Sequence, residues 1–417
     1  MEIDALVRGL GLFALGYPVV MAITWIVGGL YFFLRRERGQ APVELPPALD
    51  PYPPVTVLIP CHDEGPHAAE TIAAVLEQRY PDLDVIAIDD GSTDDTGAVL
   101  DRLAEQEPRL RVIHLATNQG KAAALRMGAL AARSEYLVCV DGDALLDEYA
   151  VPWLVSHLAG SPRVGAVTGN PRIRNRSTLL GKLQVGEFSS IIGMIKRSQR
   201  TYGRLFTVSG VVSAFRRTAL HRVGYWSESA VTEDIDISWR LQMDHWDVRY
   251  EPRALCSILM PETLRGLWRQ RLRWARGGAQ AALEHSRGLR LWRRRRMWPI
   301  VAEYWTSAAW AFTVALLVVG YGIGAAVPVP EWAGLDLLRP SWTTVLLAAV
   351  CMLQFTVSLL IDRRYEAGIG RYLYWMIWYP VAYWLLSFLT TVVALPATLL
   401  GDRTARATWT SPDRGFR

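Results

Sequence analysis

Four stretches of this chain contain no Asp, Glu, Lys or Arg, and each is long enough to cross a lipid bilayer. They are residues 10–34, 305–329, 341–361 and 372–400. Since about 20 apolar residues span a bilayer core, the chain is predicted to be a multi-pass membrane protein. The first stretch is longer than the roughly 7–15 apolar residues of a signal peptide and has no small-residue cleavage site after it. It is therefore predicted to be a retained anchor.

The region between the first and second stretches holds most of the charge and is large enough for one α/β domain. Arginine-rich segments bound it on both sides, which predicts a cytosolic location by the positive-inside rule. The predicted organisation is an anchor over 1–35, a cytosolic domain over 36–298, three membrane helices over 299–400 and a tail over 401–417. Three membrane crossings after the cytosolic domain place the tail on the outer side, although it carries four Arg against two Asp. Either the positive-inside rule fails for the tail, or the stretch 372–400 does not cross the membrane as one simple span.

The four cysteines show no disulfide or metal-ligand spacing and are predicted to be free, buried thiols. They are Cys61, Cys139, Cys256 and Cys351. The Arg clusters flank the apolar stretches, so membrane topology explains them better than nucleic-acid binding does.

Within the charged region, β-rich runs such as VTVLIP and YLVCV alternate with helix-like stretches such as KAAALRMGALAAR. This alternation predicts a mostly parallel sheet. Two acidic turns directly follow apolar runs, one with Asp89 and Asp90 and the other with Asp141 and Asp143. Open α/β sheets bind ligands at the carboxyl ends of their strands. The simpler explanation of the first turn is an ordinary strand-to-helix turn with capping Ser, Thr and Asp.

Carboxylates that converge on one sheet edge repel one another unless a cation lies between them. A hard dication, Mg²⁺ or Mn²⁺, takes one or two carboxylates together with substrate phosphates. The two acidic turns therefore predict a metal-assisted site for a nucleoside diphosphate. The intervening NQGK segment places Lys121 at the start of a helix, where it can meet a phosphate; alone, it is more typical of a surface lysine.

The VTED segment, residues 231–234, has two explanations. Thr232 with acids after it is typical of a helix N-cap. Asp234, which follows Glu233 and precedes the apolar-rich IDISWRL, also has the properties of a half-buried general base with a raised pKa.

Two amphipathic segments, 179–197 and 262–281, are predicted to be interfacial helices on the lipid headgroups. The second contains QRLRW, residues 270–274. Its Arg273 can hold a pyrophosphate and its Trp274 can stack on a sugar ring.

The order DDG, DGD, TED and QRLRW, together with the membrane stretches, resembles the processive family 2 inverting glycosyltransferases, which include cellulose, chitin and hyaluronan synthases. The segments GYWSESAVTEDIDISWRLQ and YEPRALCSILMPETLRGLWRQRLRWARGGA are similar to bacterial poly-β-1,6-N-acetylglucosamine synthases of biofilm operons. The resemblance implies a GT-A-like domain inserted between transmembrane helices.

The resemblance also implies roles for individual residues. It assigns nucleotide-sugar binding to Asp89 or Asp90, Lys121, Asp141, Asp143 and Arg273, and metal ligation to Asp143. It assigns acceptor binding to Thr232, Glu233, Gln270 and Trp274. It makes Asp234 the catalytic base. One departure is the turn His62–Glu64, where Asp63 replaces the Asn common in the family.

The implied reaction is polymerisation of N-acetylglucosamine from UDP-GlcNAc at the cytosolic side of the bacterial inner membrane, with passage of the polymer across it. The implied partners are the growing polysaccharide, membrane lipid and a small two-span membrane subunit, with cyclic di-GMP at that subunit's interface as in Gram-negative relatives. Alternatives are a hyaluronan- or chitin-type synthase and a lipid-phosphate enzyme that adds one sugar. A non-catalytic transporter or scaffold is a fourth, although none of the four apolar stretches carries the charges that usually mark transport paths.

Overall fold

A computed structural model describes residues 2–288, 291–326, 342–379 and 384–402. Its centre is an eight-stranded sheet with the order β3-β2-β1-β4-β7-β6-β8-β5. The strands are β1 (Val55–Cys61), β2 (Leu83–Asp89), β3 (Leu110–His114), β4 (Tyr136–Val140), β5 (Leu145–Leu146), β6 (Val164–Ile173), β7 (Val212–Arg216) and β8 (Asp247–Ile258). Strands β1 to β4 are mutually parallel, whereas β7 runs antiparallel to both of its neighbours. The predicted α/β domain with a mostly parallel sheet is confirmed.

Helices cover both faces of this sheet. Those of the domain are α2 (Gly65–Leu76), α3 (Thr96–Gln106), α4 (Lys121–Ala131), α5 (Ala150–Ala159), α8 (Arg217–Arg222) and α9 (Glu233–Met243). Apolar side chains of α2, α3 and α5 pack in one core cluster, and those of α4, α8 and α9 pack in a second. The strands are buried on both faces, which explains why β1 and β4 are continuous apolar runs rather than alternating ones.

Among the described residues, three helices are long and apolar enough to cross a membrane. They are α1 (Glu2–Phe32), α11 (Trp298–Ala326) and α12 (Trp342–Asp362). The predicted fourth span, 372–400, is instead divided into a 3-10 helix, Ile369–Trp378, and the 16-residue helix α13 (Leu385–Leu400). Its residues 380–383 and most of the predicted tail lie outside the described residues. At 1.5 Å per residue, α13 is shorter than a bilayer core of about 30 Å.

The two segments predicted to lie on the headgroups form helices that pack against both the sheet domain and the membrane helices. The first forms α6 (Leu179–Glu187), a π-helical turn (Phe188–Met194) and α7 (Ile195–Thr201), most of whose side chains are buried. The second forms α10 (Leu264–His285). Ala279 of α10 packs with Ala308 of α11 and Leu395 of α13. Both segments also keep exposed apolar residues, Leu179 and Leu264, and their contact with lipid headgroups stays a prediction.

A buried ionic network joins these helices to the membrane helices. Arg197 of α7 binds Glu37, which follows α1, at 2.7 Å and Asp362 at the end of α12 at 2.9 Å. Arg172 of β6 binds the second oxygen of Asp362 at 2.7 Å, and Tyr365 donates to Glu37 at 2.6 Å. Buried charges are tolerated only when paired, so this network holds the domain in one position relative to α1 and α12. All four cysteines are free and buried, as predicted.

Candidate active site

The acidic turns lie together at one edge of the sheet because the strands before them are parallel. Asp89 ends β2, Asp141 follows β4, and β1 lies between those two strands. Helix α9 also begins at this edge, at Glu233. The contact of Glu233 with Lys121, the first residue of α4, shows this. Three motifs far apart in the sequence therefore meet.

The first acidic turn positions a loop. Asp90 is fully buried and accepts hydrogen bonds from the backbone N–H groups of Gln119 at 2.7 Å and Gly120 at 2.8 Å. Burial raises the pKa of Asp90, and these donors oppose the rise. Asp89 lies 3.1 Å from Nδ1 of His114. Both carboxylates thus have protein partners, and their direct contact with a nucleotide stays a prediction.

Lys121 lies at the centre of the site. Its Nζ atom is 2.5 Å from Oδ1 of Asp141 and 3.1 Å from Oε1 of Glu233. Burial alone lowers the pKa of Lys121, but the two carboxylates outweigh burial and the pKa is raised. Lys121 therefore stays cationic and links α4, the end of β4 and the start of α9.

The two acids of the VTED motif have opposite pKa shifts. Burial and the charge of Glu233 raise the pKa of Asp234 to about 6. Burial also raises the pKa of Glu233, but the charges of Lys121 and Arg273 and the hydrogen bonds to its carboxylate together outweigh burial, and the net shift is downward. Oδ1 of Asp234 accepts a hydrogen bond from the Ile235 N–H at 2.9 Å. Neighbouring acids with separated pKa values are typical of sites where one of them acts as a base near neutral pH.

Gly210 forms a wall of this site and was not singled out by the sequence. A Cβ atom at Gly210 would lie 3.2 Å from Nζ of Lys121, 3.5 Å from Oε1 of Glu233 and 3.6 Å from Oδ2 of Asp234. The backbone can approach the charged groups this closely because glycine has no side chain. The only signal in the sequence is a glycine in a turn of small residues, VSGVVSA.

Helix α10 packs directly on the start of α9. A Cβ atom at Gly277 would lie 1.8 Å from Oγ1 of Thr232, the N-cap residue of α9. Thr232 is buried, and its Oγ1 atom has no hydrogen-bond partner in the described part of the chain. The position of the acid pair therefore depends on the close approach of these two helices.

Arg271, also not predicted, organises the QRLRW segment. It binds Glu187 at 2.5 Å, donates to Gln270 at 3.0 Å, and its guanidinium carbon lies 4.2 Å from the centre of the Trp274 ring. Arg273 is exposed, and its charge lowers the pKa values of the VTED acids. The structure thus places Arg273 beside the acids and fixes Trp274 through Arg271.

A cavity of 180 Å³ lies beside Trp274, between α10, α11 and α13. Phe206 and Tyr304 line it with Trp274, and their two rings stack with centroids 6.2 Å apart. Flat aromatic faces of this kind suit the apolar faces of sugar rings.

The predicted metal ligand lies in a tightly packed turn. A Cβ atom at Gly142 would lie 3.1 Å from the carbonyl oxygen of Pro60, so the Asp141–Asp143 turn lies directly against the end of β1. The half-buried Asp143 carboxylate is an oxygen donor of the type that Mg²⁺ and Mn²⁺ prefer, and the residues present fit such an ion.

Three other potential ligands, Asp236, Glu284 and His285, lie within 4.8 Å of one another. Asp236 is bound to Arg240 at 2.7 Å and to His285 at 2.9 Å, and Glu284 accepts from Gln280 at 2.9 Å. Protein partners account for this group.

Residues 53–277 match the model of the family described as "Glycosyltransferase like family 2". The chain is 36% identical to the poly-beta-1,6-N-acetyl-D-glucosamine synthase of Staphylococcus epidermidis, with 97% of this chain and 98% of that protein covered. It is 38% identical, with the same coverage, to the synthase of that name from Staphylococcus aureus strain COL.

A solved structure, the mannosyltransferase PcManGT from Pyrobaculum calidifontis in complex with GDP-Man and Mn²⁺, superposes with a TM-score of 0.61 at 22% identity. The superposition covers 88% of this chain and 99% of that chain, and it confirms the predicted GT-A-like fold. The family match, the long alignments and the fold agree with the motif order in the sequence. The chain therefore belongs to the family 2 glycosyltransferases and is an enzyme of that class.

Proposed function

We propose that this protein is a processive, inverting glycosyltransferase that polymerises N-acetylglucosamine from UDP-GlcNAc into poly-β-1,6-N-acetylglucosamine. The observation that carries the proposal is the cluster of Lys121, Glu233 and Asp234 at the ligand-binding edge of the sheet. The donor sugar and the linkage are supported by the names of relatives that align over 97% of the chain.

Asp234 is the proposed base. It accepts the proton of an acceptor hydroxyl as that oxygen forms a bond to the anomeric carbon of the donor. The bond from this carbon to the UDP oxygen breaks on the opposite face, so an α-linked donor gives a β-linked product. With a pKa of about 6, Asp234 is mostly ionised at neutral pH, and such a base accelerates a transfer by about 10²–10⁴-fold. No general acid is needed because the leaving diphosphate does not have to be protonated.

The leaving group is stabilised by positive charge. Lys121 has three N–H donors. Two of them point to Asp141 and Glu233, which leaves the third for a diphosphate oxygen. Arg273 supplies a second cation from the exposed side of α10. Asp143 is the proposed ligand of a divalent cation, Mg²⁺ or Mn²⁺, which when bound neutralises diphosphate charge. Replacing Asp143 by Asn should abolish metal-dependent tightening of UDP binding.

The aromatic cavity is the proposed start of the polymer path. Trp274 lies next to the site, and the cavity beside it is bounded by the membrane helix α11 and by α13. A leucine at Gly278 would enter it, because a Cβ atom there already lies 3.5 Å from the Tyr304 ring and 3.6 Å from the Phe206 ring. Gly278→Leu should keep UDP binding but shorten the product.

The proposed location is the bacterial inner membrane, with the sheet domain in the cytosol and the membrane helices in contact with lipid. Three long apolar helices in the described part of the chain are too few to enclose a path for a hydrated polymer. This supports the family expectation of a small two-span subunit, whereas cyclic di-GMP at its interface is proposed from the family resemblance alone. Co-purification with such a subunit, with and without the dinucleotide, tests both.

The full-length protein in lipid nanodiscs, supplied with UDP-GlcNAc and Mg²⁺ or Mn²⁺ with and without the small subunit, tests the main proposal. Metal-dependent UDP release and a polymer digested by a β-1,6-specific hexosaminidase are expected. A resistant polymer would indicate a hyaluronan- or chitin-type synthase, and a single glycolipid would indicate a single-addition enzyme. Absence of both UDP release and metal-dependent UDP binding would leave a scaffold or transporter.

A further inference from the structure

Lys196 of α7 is a buried lysine that the mechanism above does not use. Lys196 is only 4% exposed, and its Nζ atom lies 2.5 Å from Oγ of Ser209 and 3.3 Å from Oγ1 of Thr168. Both partners are neutral hydroxyls. Lysine is almost never fully buried without a paired charge, so this placement needs an explanation beyond packing.

Ser209 directly precedes Gly210, the residue whose backbone forms the wall of the active site. The N–H of Ser209 donates to Oγ1 of Thr168 at 2.7 Å. On the other side, the N–H of Val208 donates to Oγ of Ser238, which in turn donates to the carbonyl oxygen of Asp234 at 2.6 Å. The turn is thus held between β6 and α9, and Lys196 reaches it from α7.

Helix α7 is itself held by the membrane helices. Gln199 accepts from the N–H of Phe206 at 2.9 Å and donates to Glu303 of α11 at 3.0 Å. Arg197 binds the carboxylates at the ends of α1 and α12. The position of Lys196, and therefore the support of the turn, is set by helices outside the sheet domain.

Four groups face the Lys196 amine from the packed elements. Besides the two hydroxyls, these are the Tyr250 ring of β8, whose centroid is 5.8 Å away, and the charge of Asp234 on α9. Burial lowers the pKa of Lys196 to about 7, and Asp234 opposes this. The Lys196 amine therefore interacts with the proposed base, Asp234, electrostatically as well as through the hydrogen-bonded turn.

We propose that Lys196 is a positioning residue of the glycosyl transfer, holding the Ser209–Gly210 turn against the Glu233–Asp234 pair so that the wall of the site keeps its place during the reaction. This inference rests on the proposed function. A purely packing role would be met equally well by an unbranched apolar side chain of the same length.

The test compares Lys196→Met and Ser209→Ala with the wild-type full-length protein in nanodiscs. Lys196→Met should lower kcat for UDP release by about 10- to 100-fold, the effect of misplacing a reacting group, with the Kd for UDP changed by less than about twofold. Loss of the positive charge should also raise the pKa of Asp234, so the acidic limb of the kcat/KM profile should move to higher pH. Ser209→Ala should lower kcat on its own and should add little to Lys196→Met, because both break the same contact.

The matched control is Thr201→Ala at the end of the same helix. Thr201 is exposed and donates within α7, to the carbonyl oxygen of Ser198 at 2.6 Å, so its replacement should leave kcat and the pH profile unchanged. If Lys196→Met retains wild-type kcat, or if its effect and that of Ser209→Ala multiply and the pH profile stays in place, the positioning role is wrong. If the wild-type protein itself releases no UDP from UDP-GlcNAc, the proposed function fails instead.

Discussion

The contact between Gly277 of α10 and Thr232 of α9 should make Gly277→Ala far more damaging to catalysis than to folding. The added Cβ atom would lie 1.8 Å from Oγ1 and 2.6 Å from Cβ and Cγ2 of Thr232. Nonbonded carbon atoms are normally about 3.5–4.0 Å apart, so rotation of the hydroxyl alone cannot relieve the clash and the helices must separate by roughly 1 Å or more.

The stability effect of this change is small because two terms oppose each other. Overpacking a buried contact costs about 1–3 kcal/mol, whereas alanine in place of glycine within a helix contributes about 1 kcal/mol of stability. The net loss in the free energy of unfolding should be about 0–2 kcal/mol. The catalytic effect is larger, because Glu233 and Asp234 follow Thr232 and must move with it; a displacement of about 1 Å at a reacting group costs about 10²-fold in rate.

The assay measures kcat for UDP release together with the midpoint of thermal unfolding in detergent. Gly278→Ala is the control for stability, since its Cβ atom would meet Tyr304 and Phe206 only at ordinary contact distances of 3.5 and 3.6 Å. It should raise the free energy of unfolding by up to about 1 kcal/mol. A Gly277→Ala enzyme with kcat within about twofold of wild type would show that the acid pair does not depend on this helix contact.

Three further predictions concern charge. Asp234→Asn should keep UDP binding but abolish polymer synthesis, since the amide cannot accept the acceptor proton; synthesis at the wild-type rate would remove Asp234 as the base. Glu233→Gln removes a charge that raises the pKa of Asp234, so the acidic limb of kcat/KM, expected near pH 6 in the wild type, should move to lower pH. Arg197→Met leaves two buried carboxylates short of a partner and should cost about 3–5 kcal/mol in the free energy of unfolding. The control is Arg126→Met, which removes a half-exposed ion pair with Glu228 and should cost about 1 kcal/mol or less. Equal losses in the two variants would argue against a stabilising role of the buried network.

Local chain chemistry was sufficient to predict where the acidic motifs meet. The apolar runs before Asp89 and Asp141 predicted parallel strands, and parallel strands end at one sheet edge, so the meeting of the two acidic turns followed from the sequence, whereas the contact of Lys121 with Asp141 did not. The position of Asp234 after an acid and before an apolar run likewise predicted its raised pKa. These inferences worked because each depends on neighbours within a few residues and on one general rule of sheet topology.

Other features required the tertiary structure. The faces of α6, α7 and α10 have the amphipathic pattern of interfacial helices, and the pattern is the same whether lipid or protein covers the apolar side. The structure shows protein over much of that side and leaves Leu179 and Leu264 exposed.

The sequence by itself determined three membrane helices, the α/β class and the order of the acidic motifs, because hydrophobic length and strand–helix alternation are local properties. Only the tertiary structure decided that Gly210 forms the wall of the site, that Arg271 fixes Trp274 and that Lys196 supports the turn from behind. Each of these roles comes from an approach of a few ångströms between segments on different elements. Such distances are set by how whole helices and strands pack, and no pattern within one segment contains them.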